Sequence, residues 1–353
     1  MKKPSRELFE RQARLARYSL DKRANKTQRH VIPVENRYVR PGELIVAPRK
    51  FDAIRASGRE TVKFLRAVAQ TILRDQQPTV LDFRHTESFY PVSTIYLYAE
   101  LDRIVSLSHL PKPITIIDPH RRRAREVLKQ IGLHEITGDS CDIIPEREDV
   151  VYWKASKGKD QSGEKLAILE VVAEKVNKAH ARHMELSGIW RGVSEAVANS
   201  VDHAYKVPRA DGFNGLPETR WWMFTQLRDG IFTAAVCDLG CGYKATIAQT
   251  IPEKFISELA NLLVGTNRDS IAIHTAMEYG RSGTHQSERG KGSRDALSVL
   301  RKHGNGDLMI LSNTGWIQYT YANGREQKKI FGDLGIDIRG TIIWWKLPVG
   351  DQE

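Results

Sequence analysis

Residues 220–238 constrain the fold more than any other stretch. Two apolar runs, Arg220–Leu227 and Ile231–Asp238, are separated only by Arg228-Asp229-Gly230. An Asp-Gly step suits a tight turn, so the two runs are expected to fold back on each other as an antiparallel hairpin. Further strands are expected at Leu308–Ser312, Trp316–Tyr321 and Gly340–Leu347, with helical segments near 165–183, 189–205 and 292–303. This half reads as helices laid on one face of a mostly antiparallel sheet.

The front half has a different rhythm. A helix over about 57–74 carries Val62, Leu65, Val68, Ile72 and Leu73 on one side. Pro78–Phe83 then reads as a buried strand, 92–108 as a helix, Pro113–Asp118 as a strand, and Arg122–Ile131 as a short helix stopped by Gly132. Strands alternating with helices indicate an α/β domain. The polar, glycine-containing stretch 154–165 is the best boundary between the halves. The expected class is α+β, a two-domain chain: a basic extension 1–50, an α/β domain 51–153, a linker 154–165 and a second domain 166–353.

The chain carries 54 Lys and Arg against 43 Asp and Glu, a net charge of +11. Residues 1–50 alone hold 14 basic and 5 acidic residues, or +9, and a second cluster is His120-Arg121-Arg122-Arg123-Ala124-Arg125. Such a balance fits an acidic partner, nucleic acid included, and equally a solvated basic face. No run approaches a membrane span, and the charged N-terminus does not read as a secretory signal. Three cysteines, Cys141, Cys237 and Cys241, fit a reduced, cytoplasmic setting better than a disulfide framework. Cys237 and Cys241 read as small residues around a turn, without a second ligand pair for zinc.

Three segments carry candidate chemistry. On helix 189–205, Glu195 and Asn199 are an i,i+4 pair and therefore neighbours, on the side that also carries Asp202 and His203. An amide oxygen is a hard ligand suited to magnesium, and a carboxylate beside it can orient or deprotonate a water. In Cys237-Asp238-Leu239-Gly240-Cys241-Gly242, an apolar strand ends in an aspartate able to accept a hydrogen bond from an exocyclic amine. The glycines there permit a sharp turn and a close approach of backbone to ligand. The third segment, Gly280 to Ser293, is glycine-rich and basic and opens a helix, an arrangement that binds phosphate. It is not a Walker A loop, because Gly283 and Gly290 are too far apart and Gly292 follows Lys291. Taken singly, each also fits an ordinary polar helix face, a capped turn or a surface loop.

Their order and spacing resemble the GHKL superfamily, whose ATP-binding Bergerat fold is shared by Hsp90, type II topoisomerases, MutL and histidine kinases. Glu195-x-x-x-Asn199 resembles the N-box, Asp238-x-Gly240-x-Gly242 the first glycine box, and Gly290-x-Gly292 the second. Gly340-Thr341 resembles the start of the closing strand. The run Val193 to Tyr205 is similar to the anti-sigma-factor serine kinases. The resemblance covers about 165–348. It implies that Asn199 coordinates Mg2+, Glu195 activates the attacking nucleophile, and Asp238 binds the adenine amine with Thr341 helping. It further implies that Gly240 and Gly242 shape the base pocket, and that Gly290, Lys291 and Gly292 contact phosphates.

The front half resembles a STAS domain, the fold of anti-sigma-factor antagonists. The acceptor region there reads Phe89-Tyr90-Pro91-Val92-Ser93-Thr94 and lacks the usual Asp-Ser-Ser-Gly, which favours binding or scaffolding over phosphorylation of Ser93 or Thr94. The leading expectation is a Mg2+-dependent, ATP-binding ATPase with a regulatory STAS-like module, working with a protein partner or as a homodimer. The alternatives are a serine/threonine kinase of the anti-sigma type and an ATP-gated nucleic-acid clamp.

Overall fold

The computed structural model describes residues 42–52, 54, 58–147, 154–161, 169, 174, 186–213, 218–250, 253, 254, 256, 257, 268–282 and 291–349. Helices and sheets are both present, as the α+β class requires. Among these residues no helix is long and apolar enough to cross a membrane.

The front half is built on three parallel strands, β1 (Glu43–Val46), β3 (Thr79–Asp82) and β5 (Ile114–Ile117), in the order β1-β3-β5. A two-stranded parallel pair, β2 (Lys50–Phe51) and β4 (Ser88–Phe89), lies beside it. Helix α1 (Gly58–Ala69), widened by a π-type turn Gln70–Arg74, crosses from β1 to β3. Helix α2 (Pro91–Leu107) crosses from β3 to β5, and the short helices α3 (Arg122–Gln130) and α4 (Leu133–Thr137) follow. Phe51, Phe64, Phe83 and Phe89 form an aromatic knot beneath them, with Phe51 stacked on Phe89 at 5.2 Å. Residues 43–46 are thus part of this sheet. The basic extension expected over 1–50 ends earlier, because β1 supplies an edge that β3 alone cannot pair.

The second half is a seven-stranded sheet, antiparallel at every pairing, in the order β11-β10-β9-β12-β8-β7-β6. Its strands are β6 (Lys154–Gly158), β7 (Trp221–Arg228), β8 (Ile231–Asp238), β9 (Gly306–Ser312), β10 (Gly315–Ala322), β11 (Arg325–Asp333) and β12 (Thr341–Pro348). The hairpin at Asp229-Gly230 forms as expected, with both residues at positive φ. The residues expected to begin a linker, 154–158, instead form β6, an edge strand paired with β7.

On one face lie helices α5 (Leu186–Asn199), α7 (Arg268–Ser282) and α8 (Lys291–His303), over a core of Trp221, Met223, Ala234, Val236, Ile310, Ile343 and Trp345. Helix α6 (Gly242–Thr250) follows β8 and contacts α7. Helices α5 and α8 approach closely because Gly192 has no side chain: a Cβ there would sit 2.6 Å from Val299 Cγ2.

The sequence reading placed helices on one face and assigned nothing to the other. That second face is covered by α2, which packs on β7, β8 and β12. Leu97, Leu101 and Ile104 share one buried cluster with Trp222, Phe224, Ala235, Cys237 and Ile342. The two halves therefore share a core. A network of mostly buried charges crosses the same contact. Arg209 pairs with Glu100 of α2, and Arg103 of α2 reaches Asp211 at 2.5 Å. Asp102 accepts hydrogen bonds from Trp222 Nε1 at 3.0 Å and Arg220 Nη1 at 3.1 Å, and also pairs with Lys157.

Candidate nucleotide site

The site grows from a row of register partners across the middle of the sheet. Ser312 of β9 pairs with Thr341 of β12, and Thr341 pairs with Asp238 of β8. Directly paired residues point to the same side of a sheet, so these three polar side chains end three adjacent strands on the face covered by α5, α7 and α8. All three are buried, and Ser312 Oγ lies 3.4 Å from Thr341 Oγ1.

Asp238 is held by the turn that follows it. Its carboxylate accepts the Gly240 N–H at 3.0 Å, and Ser200 Oγ lies 3.4 Å from its other oxygen. Burial pushes its pKa up to about 6, opposed by the Gly240 hydrogen bond, the Ser200 hydroxyl, the Thr341 backbone N–H and the Arg209 charge. A carboxylate offers about four acceptor positions, and among the described residues three donors occupy this one, leaving one position.

The glycines of this turn have separate reasons. A Cβ on Gly240 would overlap the Ala204 carbonyl, where the segment after α5 ends. Gly242 has φ +76°, and a Cβ there would lie 2.5 Å from Asn313 Nδ2. The turn is tied down further by Cys241 N–H to the Ala204 carbonyl at 2.8 Å, Tyr243 N–H to Ser312 Oγ at 2.9 Å and Leu239 N–H to the Tyr205 hydroxyl at 3.3 Å. The Tyr205 hydroxyl also donates to the Arg220 carbonyl at the start of β7. Burial raises the pKa of the Cys237 and Cys241 thiols, which keeps both protonated at neutral pH and fits their reading as packing residues.

Glu195 and Asn199 lie in the last two turns of α5, both half-buried. Helix α5 continues into a wider π-type turn, Ser200–Ala204, that carries Ser200 to Asp238. The extra residue in that turn breaks the regular spacing that placed Asp202 and His203 with Glu195 and Asn199. Asp202 is exposed and accepts from Gln161 Nε2 at 3.2 Å. Lys291 and Gly292 form the first residues of α8, and Gly290 lies outside the described residues.

The structure thus brings Asp238, Gly240, Gly242 and Thr341 together and joins the α5 segment to them through Ser200. Sequence reasoning missed Ser200, Tyr205 and Ser312. A serine one residue after Asn199 was the available signal for the first; the other two are set by tertiary contact alone. In the front half, Ser93 and Thr94 are both 0% exposed, and the Thr94 hydroxyl donates to the Tyr90 carbonyl at 2.8 Å. Neither hydroxyl is presented to a phosphoryl donor in this conformation.

Comparison of the chain with protein-family models, curated proteins and solved structures finds no match.

Proposed function

We propose that the chain binds ATP with Mg2+ and hydrolyses it, under the influence of its STAS-like front half. The observation that carries this reading is Asp238. A carboxylate is held in a buried row with Thr341 and Ser312, against a turn that tolerates no side chain at Gly240, with one acceptor position left by the described residues. That arrangement suits the exocyclic amine of adenine. Asn199 would hold the magnesium, which neutralises charge on the phosphate oxygens when bound. Glu195, one helical turn away, would orient the attacking water and take its proton. Helix α8 begins at Lys291, and the backbone N–H groups of a helix's first turn suit phosphate.

The burial of Ser93 and Thr94 favours hydrolysis, or transfer to another protein, over transfer within the chain. Regulation by the front half is supported by α2, which lies on the back of the strands that end in Asp238 and Thr341, and by the Glu100–Arg209 pair.

The test is thermal stability with and without ATP and Mg2+. A ligand that binds only the native state stabilises it by about 2.7 kcal/mol at a hundred-fold excess over its dissociation constant. A shift is expected in wild type and is expected to be lost in Asn199→Ala. Wild type showing no shift at millimolar nucleotide would sink the proposal. Glu195→Ala is expected to keep the shift and lose phosphate release; unchanged turnover would remove Glu195 from the role of base.

A further inference from the structure

The proposed nucleotide site leaves one chemistry-bearing cluster unused, at the carboxyl end of the parallel sheet. Asp118 follows the last residue of β5, His134 lies in α4, and Cys141 follows α4 by four residues. One ligand atom from each lies within 4.8 Å of the others. The geometry points to a divalent-metal site, with zinc as the matching ion, formed by Asp118, His134 and Cys141.

The chain is shaped to bring these three together. Helix α4 is a single turn bracketed by two glycines in the left-handed region, Gly132 at φ +80° and Gly138 at φ +72°. They reverse the chain twice within seven residues. The Asp139 carboxylate then accepts the Ile116 N–H at 2.8 Å, and the Asp139 N–H bonds the His134 carbonyl at 3.0 Å. This pins the segment before Cys141 against the edge of β5. The loop is thus held through Asp139 as well as through the His134–Asp118 contact.

The donor set is chemically specific. Imidazole nitrogen, carboxylate oxygen and thiolate sulfur together suit a borderline ion such as Zn2+ and suit the hard ions Mg2+ and Ca2+ poorly. His134 is 2% exposed, its Nε2 lies 2.9 Å from Asp118 Oδ1, and its Nδ1 is buried without a hydrogen-bond partner among the described residues. Cys141 is a free, half-buried cysteine. A tetrahedral zinc with these ligands needs donor separations of about 3.3–3.5 Å, so small side-chain movements from the observed spacing would complete it. Binding forms the Zn–S bond, releases the Cys141 thiol proton to water and moves the His134 ring proton from Nε2 to Nδ1, so that Nε2 is free to coordinate. Three protein ligands leave one coordination position for water or a small anion. Among the described residues no acceptor stands behind His134 Nδ1, and lack of such support typically costs about 10–100-fold in metal affinity. The inference is independent of the nucleotide reading, since none of its residues belongs to that site.

The full chain, stripped with chelator and titrated with Co2+, tests this. One equivalent is expected to produce a near-ultraviolet thiolate-to-cobalt charge-transfer band and the intense visible bands of four-coordinate cobalt, both abolished by Zn2+. Cys141→Ser is expected to remove the charge-transfer band, while Cys237→Ser and Cys241→Ser retain it. Asp118→Asn is expected to weaken cobalt binding at least ten-fold. Circular dichroism of Cys141→Ser checks that it folds, and Asp118→Asn provides a second reading if it does not. Absence of the band at stoichiometric Co2+, or its survival in folded Cys141→Ser, would overturn the site and leave a simple His134–Asp118 hydrogen bond.

Discussion

Asp238 is a carboxylate in a place that opposes its charge, and this gives it a measurable signature. Its pKa rises from the ordinary 3.8 to about 6, chiefly through burial. Below about pH 4 the native and unfolded states both hold the proton. Between there and pH 6 only the native state does, so the stability this proton contributes is lost as pH rises through about 6. The gap corresponds to about 3 kcal/mol. Asp238→Asn keeps the acceptor for Gly240 without the charge. In urea unfolding of nucleotide-free protein, the variant is expected to be more stable than wild type at pH 8, by up to that amount, and to differ little at pH 4. It is also expected to lose the nucleotide-induced shift. An equal or lower stability at pH 8 would contradict the burial argument. Gly240→Ala tests the turn separately. Its Cβ meets the Ala204 backbone, which has no rotamer with which to yield, so a loss of about 1–3 kcal/mol is expected from thermal unfolding. These positions were legible because aspartate and glycine at fixed offsets after an apolar strand carry a physical meaning on their own. Ser312 and Tyr205 were not, because their partners lie 69 and 34 residues away.

At the scale of elements, the central strands and the edges tell different stories. β8 and β12 appear in the sequence almost where they fold, since their apolar runs are long and bounded by glycine turns. The edges β6 and β11 were missed. Their sequences, Lys-Ala-Ser-Lys-Gly and Arg-Glu-Gln-Lys-Lys-Ile-Phe-Gly-Asp, are polar and lack alternation. Lysines on edge strands discourage pairing with another chain, and that protection is what disguises them as loop. Helix α2 was found but its role was not. It buries nearly every residue of Val92–Ile104, Glu100, Asp102 and Arg103 included. For Glu100, burial alone would raise the pKa, but the charge and hydrogen bond of Arg209 reverse this and lower it. Its stabilising effect is therefore present above the ordinary carboxylate range and lost as pH falls through its native value. Glu100→Ala or Arg209→Ala leaves one charge buried without its partner, and each is expected to cost about 3–5 kcal/mol in denaturant unfolding. Replacing both with apolar residues of similar volume is expected to cost far less. A loss in the double alanine variant equal to the sum of the two single losses would show that the pair is not coupled.

At the scale of the whole molecule, the sheet has no solvent face at its centre. Antiparallel sheets commonly leave one side wet and then alternate in sequence. β7 reads Trp-Trp-Met-Phe-Thr-Gln-Leu-Arg, with only its last residue exposed. That unbroken run was the sequence-level sign that both sides are covered, and a two-domain reading obscured it. A chain whose halves share one core is expected to unfold in a single transition, with calorimetric and van't Hoff enthalpies in agreement. Two resolved transitions would contradict the shared core.

The same burial limits how the molecule can be taken apart. A fragment beginning at β6 would present Trp222, Phe224 and Ile342 as one apolar surface, together with Arg209 and Asp211 stripped of their partners on α2. Such a fragment is a candidate for aggregation rather than a minimal catalytic unit. Activity lost on truncation would report a broken core before it reported a missing regulator, so the influence of the front half is best probed by point substitutions in the intact chain.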